Sequence, residues 1–120
     1  LMYNEIDKLI EDIVSDYRRF VKNDETRVKE FQHSIEVNNG SKYIRIVANN
    51  SVWGFINKSN DKFHAGDILK SKNWKTPTLN RSRGNILSGK YHINWTGPLY
   101  LHDVAGKGFY SWQSDELART

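Results

Sequence analysis

Residues 31–57, FQHSIEVNNGSKYIRIVANNSVWGFIN, carry the change of hydrophobic period that sets the fold class. Phe31, His33, Ile35 and Val37 alternate with Gln32, Ser34 and Glu36, the two-residue repeat of a half-buried strand. Asn38-Asn39-Gly40 follows as the strongest hairpin signal in the chain, since an Asn-Gly pair accepts the positive φ angles of a tight turn. Lys42 to Ala48 returns as a second strand, with Ile44, Ile46 and Ala48 on one face and Tyr43, Arg45 and Val47 on the other. Asn49-Asn50 turns again into a third strand, Ser51 to Asn57, where Gly54 marks a bulge or a close backbone contact.

Towards the N-terminus the period is helical. Met2, Ile6, Leu9, Ile10, Ile13, Tyr17, Phe20 and Val21 recur at steps of three and four, which predicts an amphipathic helix over about residues 2–22. Its other face carries Glu5, Lys8, Glu11, Asp12, Arg18 and Arg19. Such a stripe needs cover, either from a sheet made by the rest of the chain or from a second copy in a homo-oligomer. Asn23-Asp24 ends this helix or caps a short, weaker one over 24–29.

Towards the C-terminus, Gly66-Asp67 turns into a short strand at 67–70, and Ser88-Gly89 turns into a strand over 91–95. Thr96-Gly97-Pro98 separates that strand from another at 99–102, and a last one is expected at 109–113, with Ser114 capping a helical turn. Turn signals about every eight to twelve residues indicate a compact antiparallel sheet. The expected fold is α+β: an N-terminal amphipathic helix packed on a curled antiparallel β-sheet or a small, partly open β-barrel. One domain spans residues 1–120, with its β-rich region over about 31–113.

Composition narrows the function classes. The 120 residues include no cysteine, which removes disulfides, thiolate zinc sites and thiol hydrolases. No apolar run approaches the ~20 residues of a membrane helix, so no membrane partner is expected and a cytosolic location is. Leu1 precedes Met2, which reads as the native start.

The net charge of +4 is unevenly spread. Residues 1–37 hold nine acids against six bases, whereas residues 58–90 hold eight bases against two acids, a balance of +6. This asymmetry points to an anionic partner for the second region; a Lys-rich solvated surface is the plainer alternative. Within it, Lys70, Lys72, Lys75, Arg81 and Arg83 surround Trp74, with Asn80 and Asn85 as hydrogen-bonding side chains. Lysine and arginine neutralise phosphate, indole offers a stacking face and amides read base edges, so the composition fits nucleic acid. Trp53, Phe55, Tyr91 and Trp95 either extend that stacking surface or fill the core.

Other constellations are weaker. Gly84 to Tyr91, GNILSGKY, places Gly84, Gly89 and Lys90 at P-loop spacing, but Tyr91 replaces the magnesium-binding hydroxyl and no helix pattern follows. His33, His64, His92 and His102 show no metal-ligand spacing, so neither a metal nor a cofactor is expected. A metal-independent nuclease built on these histidines is the enzymatic alternative; no catalytic residue is assigned.

The pattern F-x-x-G-D-I-L-x-x-x-x-W-K-x-P-x-x-N-x-x-R-G-N-I, carried by Phe63, Gly66, Asp67, Ile68, Leu69, Trp74, Lys75, Pro77, Asn80, Arg83, Gly84, Asn85 and Ile86, resembles one found in small, uncharacterised proteins of tailed bacteriophages. Trp95-Thr96-Gly97-Pro98 is similar to the part that follows. The resemblance implies a viral source and a location in the host cytoplasm. Small proteins of that setting often bind a host protein, a defence component or nucleic acid, and the basic, aromatic composition makes the leading expectation a non-enzymatic protein binding nucleic acid through Lys70, Lys72, Trp74, Lys75, Asn80, Arg81, Arg83 and Asn85. In the alternative, the same surface engages an acidic host or defence protein as an inhibitor or modulator.

Overall fold

The structure, a computed structural model, describes residues 2–99. The strand expected over 99–102 meets them only at Leu99, and the strand over 109–113, the Ser114 cap and His102 lie outside the described residues.

Helix α1, Tyr3–Phe20, buries Ile6, Leu9, Ile13, Val14 and Tyr17, with Met2 and Val21 buried at its ends. Phe20, expected on that face, is 59% exposed. Left-handed Lys22 and Asn23 (φ 55° and 64°) end the helix, and Asp24 caps the next by accepting from the Arg27 N–H at 3.3 Å. Helix α2 runs Glu25–Ser34, so the strand expected from Phe31 starts only at Glu36. The reason is packing: Val28 and Phe31, three residues apart, point the same way, and the Phe31 ring stacks on Tyr17 with centroids 4.2 Å apart. Phe31 and His33 fitted the two-residue period of a strand; burial of Val28 and Phe31 together against α1 selects the helix and leaves His33 exposed.

Strands β1 (Glu36–Asn39), β2 (Tyr43–Ala48), β3 (Ser51–Asn57) and β4 (Ile68–Leu69) form an antiparallel sheet in that order. The turns exchange the roles expected of them. Asn39 pairs with Ile44, leaving a four-residue connection at 40–43 closed by Gly40 N–H donating to Tyr43 O. The tight turn is Asn49-Asn50, with φ of 51° and 61° between the paired Ala48 and Ser51, as a two-residue type I′ hairpin requires. The bulge expected at Gly54 lies beside it: Ile46 pairs with Gly54 and Val47 with Val52, so Trp53 is the extra residue.

Asp67 bridges to Asn85, linking the sheet to a hairpin of β5 (Gly84–Asn85) and β6 (Lys90–Tyr91). The expected 91–95 strand is interrupted at His92, and β7 (Ile93–Asn94) instead pairs with β8 (Gly97–Pro98). The result is α+β, with the N-terminal helix on a curled antiparallel sheet.

Both faces of the sheet are covered. On one, Leu9, Ile13, Phe31, Ile44, Ile46, Ile56 and Ile68 form the main core. On the other, Phe55, Phe63 and Leu69 form a second cluster with Tyr43 and Val52 packed against it. Most of the α1 stripe is thus covered within the chain, while Tyr3 and Phe20 of the helix stay exposed. Two carboxylates fix the helix further: Asp12 Oδ2 accepts from the Tyr91 hydroxyl at 2.6 Å, and Asp16 Oδ2 from the Trp95 N–H at 2.9 Å.

Candidate nucleic-acid interface

The eight residues expected at the site divide into a buried pair and an exposed set. Arg83 is 3% exposed and Asn85 2%. Asn85 Nδ2 donates to Ala65 O and Asp67 Oδ1, and its Oδ1 accepts from the Leu87 and Ser88 N–H groups. The Arg83 N–H donates to Ile68 O at 2.7 Å. These two side chains stand inside the fold and offer no surface to a partner. Composition alone could not separate them from their exposed neighbours.

Lys70, Lys72, Trp74, Lys75, Asn80 and Arg81 are exposed. A bridge between Ser71 and Pro77 turns residues 71–77 into a small projecting hairpin. Its tip is fixed by Asn73, whose Oδ1 accepts from the Lys75 and Thr76 N–H groups and the Thr76 hydroxyl. Lys62 Nζ donates to Leu79 O at 2.8 Å and ties the returning limb to the loop over the second face.

Trp74, at the tip, is 48% exposed. It is held by Arg45 of β2, which the strand's alternation sets with Tyr43 and Val47, opposite Ile44 and Ile46, and to which the sequence alone assigned no role. The Arg45 guanidinium carbon lies 5.2 Å from the indole centroid, Nη1 donates to Trp74 O at 3.1 Å, and Nε donates to Asn38 Oδ1 at 3.0 Å.

Beside this pair a groove of about 340 Å³ is lined by the 38–43 turn region, Arg45, Phe55 and Lys75. Lys42, Arg45 and Lys75 put three cations on its wall, which contains no carboxylate. Lys58 Nζ braces the turn through Gly40 O at 2.7 Å. Asp61 is held below the usual carboxylate range first by the Phe63 N–H and, to a smaller extent, by Asn57 and Lys42.

The structure therefore brings Trp74 and Lys75 together with Lys42 and Arg45. Lys72 and Asn80 line a separate, open groove of about 660 Å³ with Thr76, Pro77, Thr78 and Leu79. Lys70 and Arg81 line neither. Arg45 was legible only as the base in an otherwise apolar strand; its partner lies 29 residues away. Of the four aromatics open to either a stacking or a core role, Trp53 and Phe55 are buried, and Tyr91 and Trp95 are half-buried against the main core.

The alternative chemistries gain no geometry. His33 lies exposed on α2, whereas His64 and His92 are half-buried on different loops. Among the described residues no three His, Cys, Asp or Glu side chains group as metal ligands. GNILSGKY forms the β5–β6 hairpin, with no helix to receive a phosphate. Comparisons with protein-family models, curated proteins and solved structures find no match to the chain. No helix among the described residues is long and apolar enough to cross a membrane.

Proposed function

We propose that this protein is a non-enzymatic binding module for an anionic partner, nucleic acid first. The observation that carries the reading is the half-exposed indole of Trp74, clamped by Arg45 beside a groove with three cations and no carboxylate. A merely solubilising lysine patch does not require an ordered aromatic at its centre. Lys42 and Lys75 contact phosphate, while Arg45, Lys70, Lys72 and Arg81 extend the positive field around them. The resemblance of residues 63–86 to tailed-phage proteins supports a setting in infected host cytoplasm.

The test is binding of a labelled oligonucleotide across a salt series. In Lys42→Ala/Lys75→Ala, affinity falls and the logarithmic salt slope becomes shallower by about 1.4, two contacts at ~0.7 each for single strands. An unchanged affinity and slope would remove the assignment.

Trp74 and Leu79, exposed apolar side chains on the same excursion, favour a second reading in which the partner is an acidic host or defence protein. Recovery of one stoichiometric protein from nuclease-treated lysate, lost on Trp74→Ala, would select it.

A further inference from the structure

We infer that the Arg45 groove receives one unpaired nucleobase, so that the partner of this face is single-stranded nucleic acid. The inference rests on the anionic-partner reading and adds to it the chemical class of the occupant.

Charge alone would suit any polyanion; the arrangement of Arg45 is narrower than that. Its guanidinium is fixed in orientation by the Trp74 ring, Trp74 O and Asn38 Oδ1, which leaves Nη2 outside these contacts. Arg45 lines the groove and Trp74 does not, so the groove presents the guanidinium and not the indole. A guanidinium backed by an aromatic ring is a shelf on which a second π system stacks. Beside Arg45 on the same sheet face, the half-buried Tyr43 ring packs edge to face on the buried Phe55, centroids 5.9 Å apart, and Asn39 and Ser41 add amide and hydroxyl groups to the lining.

Size points the same way. About 340 Å³ lies at the lower end of the ~300–1,000 Å³ of small-ligand pockets, room for a single nucleotide unit. Bases within a duplex are already stacked on both faces and cannot lie on the shelf; an unpaired base can. Lys42 and Lys75 reach the groove from two different loops, which supplies two cations for the flanking phosphates.

The experiment compares three labelled oligonucleotides of equal length by anisotropy at one salt concentration: a single strand, the same strand with abasic positions, and a duplex. The intact single strand is expected to bind about tenfold tighter than the abasic one, the scale of one base stacked on a protein ring, and tighter than the duplex. Arg45→Lys keeps the charge but loses the plane; it is expected to bring the intact strand down to the abasic affinity and leave abasic binding within about twofold. Trp74→Ala, at the exposed tip, removes the backing ring and gives the same loss of base dependence should Arg45→Lys fail to fold.

Equal binding of intact and abasic strands, or a duplex bound as tightly as the single strand, overturns this inference while leaving the anionic-partner reading in place. Absence of binding to all three overturns both.

Discussion

Asn85 Nδ2 donates to Asp67 Oδ1 across 2.9 Å with both side chains shut off from solvent, joining the short β4 and β5 edges through their side chains as well as their backbones. Asp67 Oδ2 also accepts the His64 N–H at 2.8 Å, so the pair organises the turn before β4 and the turn after β5 together. Asn85→Ala would leave a buried carboxylate short of a donor and two backbone N–H groups without an acceptor. A loss of about 2–3 kcal/mol is expected by urea denaturation; a loss below about 0.5 kcal/mol would contradict this role.

The two arginines separate folding from binding. Arg83→Ala empties a buried position and is expected to lower stability by more than about 2 kcal/mol. Arg81→Ala, on the surface, should leave stability within about 0.5 kcal/mol and weaken oligonucleotide binding with a salt slope shallower by up to ~0.7. Denaturation and salt-series binding on both single mutants check the division.

The two glycines of the P-loop-like stretch have opposite sensitivities. At Gly84 (φ +136°) a Cβ would lie 2.5 Å from Tyr91 Cβ and 2.7 Å from Lys90 O, backbone neighbours that cannot step aside. Gly84→Ala is therefore expected to cost about 3 kcal/mol or more. Gly89 (φ +75°) faces open space, so Gly89→Ala costs only the left-handed conformation, about 1–2 kcal/mol. A phosphate-binding loop would tie both residues to ligand affinity; here both report on thermal stability alone.

The Asn49-Asn50 turn offers a gain. Both residues sit at positive φ, and the second central position of a type I′ turn favours glycine. Asn50→Gly should raise stability by about 0.5 kcal/mol, and Asn50→Val should lower it by more than about 1 kcal/mol, read as shifts in the unfolding midpoint.

Acid stability follows from Asp61. Its pKa is lowered from 3.8, chiefly by the Phe63 N–H, so the folded protein favours the carboxylate. That contribution is fully present above the unfolded value and is lost as pH falls through the folded one. Glu25, lowered from 4.5 chiefly by its hydrogen bond from Arg18, acts with the same sign. The stability difference between wild type and Asp61→Asn should be present at neutral pH and shrink in acid, as pH falls below the ordinary carboxylate range. A difference that persists unchanged there would exclude the linkage.

What could be read from the chain in advance was what local spacing dictates. The three-and-four step of Ile6, Leu9, Ile13 and Tyr17 specifies α1 because a single helix face must be buried whatever lies opposite. Glycine at 54 marked the bulge because a close backbone approach leaves a sequence trace: Leu69 O stands 3.1 Å from where its Cβ would be. Phe31 misled, since alternation over four residues is also compatible with a helix, and only its stack on Tyr17 decides. The site was half legible. Trp74 and Lys75 announced themselves by type, but Arg45 acquires its role from a residue 29 positions away. Arg83 and Asn85 carry the same residue types as a binding surface while serving the interior. Polar side chains reveal that they need partners, not whether those partners belong to the same chain.

The bridge between Ser71 and Pro77 has a consequence for how this molecule can change. Below it, Ile68, Leu69, Arg83 and Asn85 are committed to the interior; above it, residues 72–76 meet solvent on every side chain. The boundary makes the tip a replaceable cassette. Five residues can be exchanged to alter what is recognised without disturbing the fold, provided Asn73 or an equivalent keeps the bend and Arg45 still finds a ring to rest against.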